Sequence, residues 1–238
     1  MPELMAGVLR ALRSLPEGIR PDRFAVDEDD KQGEGEVGDE AAFNRFAGKH
    51  RTGYFLIGKR AHYNVKLTPN RFGYASVEVY KVLGSFSCGT GDEMTAEDAR
   101  SILKCIGNAG AYFAFAACHS EYESRNKYVR EIGGGTFEAW VGRDLRKYFP
   151  GLYWMTVIPD QPPGIVAKVK EMSEMVVERL DSGSWLVTAF SQPNQWRTRA
   201  SYIDSWLAEM PQFFSKRAIS LQLDSAPDIQ SLLRIPKD

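Results

Sequence analysis

The side chains best suited to covalent or acid–base chemistry are three cysteines and three histidines, and Cys118–His119 is the one adjacent Cys–His pair. A cysteine nucleophile needs a histidine within hydrogen-bonding distance of its thiol. The pair ends an apolar segment that predicts a strand, and neighbouring strand residues point to opposite faces. The sequence therefore predicts a buried cysteine at the end of a core strand, a histidine at the start of a loop, and no dyad from this pair alone.

The spacing of the remaining histidines and cysteines does not match a metal site. His50 and His62 have no second ligand at helical spacing, and the chain lacks HExxH and CxxC patterns. Three cysteines, Cys88, Cys105 and Cys118, are an odd number, which favours reduced thiols in a cytosol. We therefore expect no catalytic residue, no cofactor and no metal ligand.

Two glycine-rich segments, Gly89-Thr90-Gly91 and Gly133-Gly134-Gly135, precede predicted helices. Backbone N–H groups at a helix N-terminus can bind phosphate. Neither segment matches GxGxxG or a Walker sequence, so the spacing favours connectors.

Basic residues cluster before and within the helix predicted over 137–149. Cations in the last turn of a helix interact favourably with its dipole. This interaction accounts for Arg146 and Lys147 without a ligand. A nucleic-acid surface would interleave them with exposed aromatic residues, and we expect these aromatic residues to be buried. No nucleic-acid partner is therefore expected. The basic residues concerned are Arg125, Lys127, Arg130, Arg143, Arg146 and Lys147.

The strongest local departure from average composition is an acidic segment over residues 27–40, with eight carboxylates, one lysine and three glycines. Such a composition predicts a mobile, solvated loop. It is either a solubilising loop or a surface that attracts a basic partner, because complementary charge speeds association. The EF-hand spacing for calcium is absent. The candidate partner-binding residues are Asp27, Glu28, Asp29, Asp30, Glu34, Glu36, Asp39 and Glu40.

The bulk composition is that of an ordinary globular protein. The chain has 238 residues, a net charge of −1, and is 43% hydrophobic and 26% charged, so it has no global attraction to nucleic acid or anionic membrane. The longest apolar run, Ala111–Cys118, is too short to cross a bilayer, and the N-terminal region does not have the pattern of a signal peptide. A cytoplasmic location and no membrane partner are expected.

Hydrophobic periodicity and turn residues predict an α+β fold, with one largely antiparallel sheet, or two, and helices packed on one side. Residues 1–48 are expected to hold a helix, the acidic loop and a short helix, and residues 49–238 one compact core on which the N-terminal helix docks. A weak internal repeat relates 74–118 to 184–223. The helices are predicted over 4–15, 42–48, 95–107, 137–149, 165–180 and from 201. Thr95-x-x-Asp98 resembles a capping box at the start of the third helix, and Ser201-x-x-Asp204 starts the last. The strands are predicted over 54–57, 62–67, 74–82, 112–118, 152–158, 185–190 and 218–223, and the short links between the first three predict an antiparallel meander.

The sequence PGLYW at 150–154 is followed by a predicted helix and by ERLDSGSWLVTAF, Glu178–Phe190. This layout resembles bacterial immunity proteins of toxin–immunity pairs. It is similar to the type VI immunity and immunity protein 52 families over roughly the C-terminal two thirds of the chain. The resemblance implies a protein that neutralises a cognate toxin by stoichiometric occlusion, without chemistry of its own. The toxin is expected to be the product of an adjacent gene.

Two alternatives remain open at this stage. One is an enzyme whose site assembles from distant residues, such as Cys88 or Cys118 with His62 or His119 and a carboxylate. The other is a protein-interaction module unrelated to toxins. Self-association is left open.

Overall fold

The computed structural model describes residues 2–27, 34–50, 52–59, 61–66, 76–81, 95–132, 135–140, 149–161, 164–172 and 174–214. Helices and antiparallel sheets occur together, so the α+β prediction is confirmed. The chain divides into two compact units, Met1–Ala111 and Tyr112–Asp238. Within the first unit, the N-terminal helices share a core with the strands that follow them.

The first unit contains a five-stranded antiparallel sheet in the order β2-β1-β3-β4-β5. The last three strands form the predicted meander, which is confirmed. The first two strands were not predicted, because they are short and interrupted by charged residues. The strands are β1 (Pro21–Ala25), β2 (Gly35–Glu36), β3 (Gly53–Gly58), β4 (Ala61–Lys66) and β5 (Ser76–Lys81).

Three helices complete the first unit: α1 (Pro2–Arg13), α2 (Glu40–Lys49) and α3 (Ala96–Asn108). All three were predicted. The capping box at the start of α3 is confirmed, since Thr95 Oγ1 accepts a hydrogen bond from Asp98 N and the Asp98 carboxylate accepts one from Thr95 N. The largest buried side chains of this core include Leu12, Ile19, Phe24, Phe43, Phe46, Tyr54, Leu56 and Tyr63.

The prediction of a mobile loop over 27–40 is wrong for residues 34–40. Gly35 and Glu36 form β2 at the edge of the sheet, opposite Phe24 and Arg23. Val37 is buried. A Cβ on Gly35 would lie 2.5 Å from Cζ of Phe24, so the glycine is needed for close approach. Composition indicated disorder, but backbone pairing and one buried valine order this part.

The second unit contains a four-stranded antiparallel sheet in the order β10-β11-β9-β6 and a separate two-stranded hairpin, β7-β8. Its core includes Leu152, Tyr153, Val157, Ile158, Ile165, Val169, Leu186 and Ile203. The strands are β6 (Ala114–Ala116), β7 (Lys127–Ile132), β8 (Gly135–Trp140), β9 (Met155–Ile158), β10 (Val176–Arg179) and β11 (Trp185–Thr188). The helices are α4 (His119–Asn126), α5 (Ile165–Lys170) and α6 (Trp196–Ala208), the last preceded by a 3-10 turn at Pro193–Gln195.

Two helix predictions in this unit are wrong in part. Residues 137–140 belong to β8 and pair with β7, because a short apolar window fits helical spacing and strand alternation equally well. Residues 141–148, which include Arg143, Arg146 and Lys147, lie outside the described residues. The helix predicted over 165–180 ends at Lys170, because the β-branched Val176 and Val177 pair with β11.

Several smaller differences concern element ends. The strand predicted over 112–118 has three residues, and α6 begins at Trp196 rather than at Ser201. The strands β5 and β6 lie in different sheets, so the first half of the predicted internal repeat is not a single unit. The strand predicted over 218–223 lies outside the described residues.

We predict opposite effects for two glycine-to-alanine changes in the first unit. A Cβ on Gly58 would lie 2.7 Å from the Arg20 carbonyl oxygen, so Gly58→Ala should lower the free energy of unfolding by about 1–3 kcal/mol. Gly7 lies inside α1 with no atom within 4 Å of an added Cβ, so Gly7→Ala should raise it by about 0.5–1 kcal/mol. Chemical denaturation measures both. Equal effects would contradict the strand register at Gly58.

Candidate functional site

The structure separates the eight predicted partner-binding carboxylates into three groups. Asp27, Glu34 and Glu36 are exposed beside the β1-β2 edge of the first unit. Asp39 and Glu40 are exposed and lie at the start of α2. Glu28, Asp29 and Asp30 lie outside the described residues.

The exposed group is held by the backbone of the sheet edge. The amide of Glu34 donates to the Phe24 carbonyl at 2.7 Å, and the amide of Val37 donates to the Asp22 carbonyl at 2.8 Å. These bonds fix the backbone on both sides of Glu36 without using its carboxylate. Asp22, which the sequence reasoning missed, is also exposed at this edge. We call Asp22, Asp27, Glu34 and Glu36 the acidic edge.

Asp39 and Glu40 join the acidic edge to the helices. Asp39 is the N-cap of α2, and its Oδ1 accepts a hydrogen bond from Ala42 N at 2.9 Å. Glu40 Oε1 forms an ion pair with Arg13 Nη1 at 2.9 Å, and Arg13 also donates to the carbonyl of Val37. These two carboxylates therefore have a structural role that their composition alone did not reveal.

A different acidic group lies in the interior of the second unit. Glu121, on α4, has no exposed surface, and its Oε2 accepts a hydrogen bond from Trp154 N at 3.4 Å. Its Oε1 lies 3.3 Å from Arg125 Nε, one helical turn away. Arg125 Nη1 donates to Asp204 Oδ1 on α6 at 2.9 Å. We call Glu121, Arg125 and Asp204 the Glu121 cluster.

Burial dominates the electrostatics of this cluster. Removal from water raises the pKa of Glu121 to about 7, and the negative charge of Asp204 acts in the same direction. The Arg125 cation and the N–H group of Trp154 oppose the increase. The guanidinium of Arg125 also lies 5.5 Å from the centroid of the Tyr153 ring. Glu121 thus changes its protonation near neutral pH.

Sequence reasoning missed this cluster. Glu121 and Arg125 are spaced for an ion pair on one helix face, which was a usable signal. Asp204 was predicted to lie in the first turn of a helix that starts at Ser201. The helix α6 begins at Trp196, eight residues before Asp204, and the Asp204 carboxylate pairs with Arg125 instead. No local pattern reports that Glu121 is buried, because burial depends on segments distant in the chain.

The cysteines differ from the sequence prediction in position. The strand β6 ends at Ala116, so Cys118 lies beyond it and is partly buried, and His119 begins α4 rather than a loop. The Cys118 Sγ lies 3.4 Å from Ser120 Oγ and 3.5 Å from the Pro193 carbonyl. Burial raises the pKa of Cys105 to about 11, which disfavours its thiolate.

The remaining candidate residues lie at separate places in the chain, and some lie outside the described residues. His50 caps the end of α2, and its ring lies 4.5 Å from that of Phe46. His62 lies in β4. Cys88 and the 89–91 glycine segment lie outside the described residues, whereas Gly135 begins β8 of a hairpin and not a helix. Among the described residues, no three histidines, cysteines or carboxylates are grouped as a metal would require.

Comparison with known proteins yields no relative for this chain. No family model matches it, and no match was found among curated proteins or solved structures. Within the described part of the chain, no helix has the length and apolarity needed to cross a membrane.

We predict that Arg125→Met lowers the free energy of unfolding by roughly 3 kcal/mol at pH 8, because it leaves the buried Glu121 carboxylate without its cation. Arg199→Met is the matched control, since Arg199 pairs with Glu174 in an exposed position. That change should cost less than about 1 kcal/mol. Urea denaturation of both variants measures the difference, and equal losses would contradict the buried ion pair.

Proposed function

We propose that this protein is an immunity protein that binds a basic toxin through its acidic edge and neutralises it by occlusion. The observation that carries the proposal is the exposure of Asp27, Glu34 and Glu36 beside a strand whose backbone is hydrogen-bonded to the sheet. The protein would act in the cytoplasm as a stoichiometric inhibitor, with no chemistry of its own.

The backbone anchoring of the acidic edge favours binding over simple solubilisation. A charged loop that is disordered must lose conformational entropy when a partner orders it. Glu34 and Glu36 flank a paired glycine on β2. Because folding already orders this backbone, binding would lose less conformational entropy here. Their charges can also steer a basic partner during the encounter.

An apolar contact is available beside the same carboxylates. Val26 is 44% exposed and lies directly between the end of β1 and Asp27. Interfaces combine a few desolvated anchors with a polar rim. Val26 adds one exposed apolar side chain next to Asp27, and an interface of standard size, roughly 1,600 Å² in total, is sufficient for tight inhibition.

The resemblance of residues 150–154 and 178–190 to immunity protein families supports a toxin as the partner. It also supports an adjacent gene as the source of that toxin. Type VI secretion is the delivery route that the resemblance implies.

The enzyme hypothesis gains less from the geometry. Its best carboxylate is Glu121, whose shifted pKa is typical of an acid–base residue. However, Glu121 has no exposed surface, so a substrate would have no access to it in this conformation. An exposed acidic edge requires no such rearrangement to meet a partner.

Co-expression with the product of the adjacent gene tests the proposal. The host should be a strain that this product poisons. We expect growth to be rescued and a complex of the two proteins to co-purify. Continued poisoning in the presence of abundant folded protein would refute the proposal, as would a harmless neighbour.

We predict that the triple change Asp27→Asn, Glu34→Gln and Glu36→Gln slows association with the toxin on the order of tenfold at low ionic strength. The salt dependence of the association rate should also become weaker. Stopped-flow or surface-plasmon measurements at several salt concentrations give both quantities.

The control variant carries the same change in charge on the second unit. Glu171→Gln, Asp181→Asn and Glu209→Gln alter three exposed carboxylates there. This variant should retain most of the association rate. If both variants slow association equally, the effect belongs to net charge and the acidic edge is not the contact surface.

A further inference from the structure

The Glu121 cluster connects three separate parts of the second unit. Glu121 and Arg125 lie on α4, Asp204 lies on α6, and Trp154 lies just before β9. A second connection runs parallel to it, since Trp196 Nε1 on α6 donates to Ser120 Oγ on α4 at 3.0 Å. The contact between α4 and α6 therefore includes a buried acid that titrates, and the proposed immunity function does not use it.

We propose that Glu121 is a proton-controlled switch for the contact between α4 and α6. With its carboxyl protonated, the cluster holds one positive and one negative charge, on Arg125 and Asp204, and is neutral. With its carboxyl ionised, the cluster has a net negative charge in a site that is largely removed from water. The ionised form opens more readily, because opening returns the carboxylate to water.

The direction of the effect follows from the position of each group. Glu121 is fully buried, and among the described residues the charged groups that face it are Arg125 from its own helix and Asp204 from α6. Tyr153, from the segment before β9, packs its ring on the Arg125 guanidinium. Asp204 is partly exposed, with a side-chain accessibility of 33%. Glu121 is therefore the member of the cluster whose protonation depends most on closure.

The pH profile can be derived from these environments. The pKa of Glu121 is raised to about 7 when the cluster is closed, and it returns toward the ordinary value of 4.5 when the cluster opens. The closed form therefore retains a proton that the open form loses. Raising the pH from about 5 to 7 favours opening, by up to about tenfold per pH unit, and the effect levels off above about 7.

Hydrogen exchange of the backbone amides of α6 tests the switch in the full-length protein. Exchange rates between pH 5 and 8.5 are corrected for intrinsic amide chemistry. We expect opening of Trp196–Ala208 to increase with pH by on the order of a hundredfold in total between pH 5 and 8.5 and to level off near neutrality. A corrected rate that is constant over this range would overturn the proposal.

Two variants separate the switch from a merely structural role. Glu121→Gln preserves shape and removes the titration, so α6 should exchange slowly at every pH. Asp204→Asn removes the charge that helps raise the pKa of Glu121, so the levelling-off point should move to lower pH. Asp204→Asn changes a partly exposed residue and keeps the test usable if the first variant does not fold. Unchanged profiles would overturn the proposal.

Two control variants exclude other titrating or charged groups. Glu174→Gln removes the exposed partner of Arg199 on α6 and should leave the pH profile unchanged. His119 is two residues from Glu121, and histidine titrates in the same range. His119→Gln is the second control. Because the proposal assigns the switch to Glu121, this variant should retain the pH profile. If His119→Gln abolishes the response, the switch is the histidine and the assignment to Glu121 is wrong.

Discussion

The ring of Phe24 lies 4.5 Å from that of Phe46 and 5.5 Å from that of Phe43, and this buried contact links β1 to α2. Tyr54 on β3 extends the same group of rings, at 5.9 Å from Phe43. Aromatic side chains bury large areas and prefer such tilted geometries, so they set the separation of helix and sheet. The acidic edge depends on this packing, because β2 pairs with the residues around Phe24.

Aromatic packing also places the charged groups of the second unit. The rings of Phe115 and Tyr153 stack at 3.9 Å, which fixes the outer face of Tyr153 toward Arg125. Arg125 is then positioned between two carboxylates on different helices. The segment 149–154 thus helps to position the buried charges, through the ring of Tyr153 and the backbone N–H of Trp154.

Elements with strong local signals could be predicted from the sequence. The capping box at Thr95, the β-branched meander and the helix around Phe43 and Phe46 each contain their own start, stop or periodicity. Predictions failed at 137–140, where helical spacing and strand alternation fit the same short window. They also failed at Gly35–Glu36 and 176–179, where pairing with a strand distant in the chain determines the secondary structure. The acidic composition of residues 27–40 could be read from the sequence. The backbone hydrogen bonds that hold residues 34–37 against β1 could not. Glu121 was missed because burial of a polar residue is a property of the folded chain.

The pairing of β2 with β1 places neighbouring residues in different environments. Gly35 approaches Phe24 too closely to admit any side chain, so its identity is set by folding. Glu34 and Glu36, on either side, are exposed to solvent and contribute nothing to the core. Packing therefore constrains the residue type at position 35 but not at positions 34 and 36. The surface chemistry of this edge can vary between related sequences at little cost in stability.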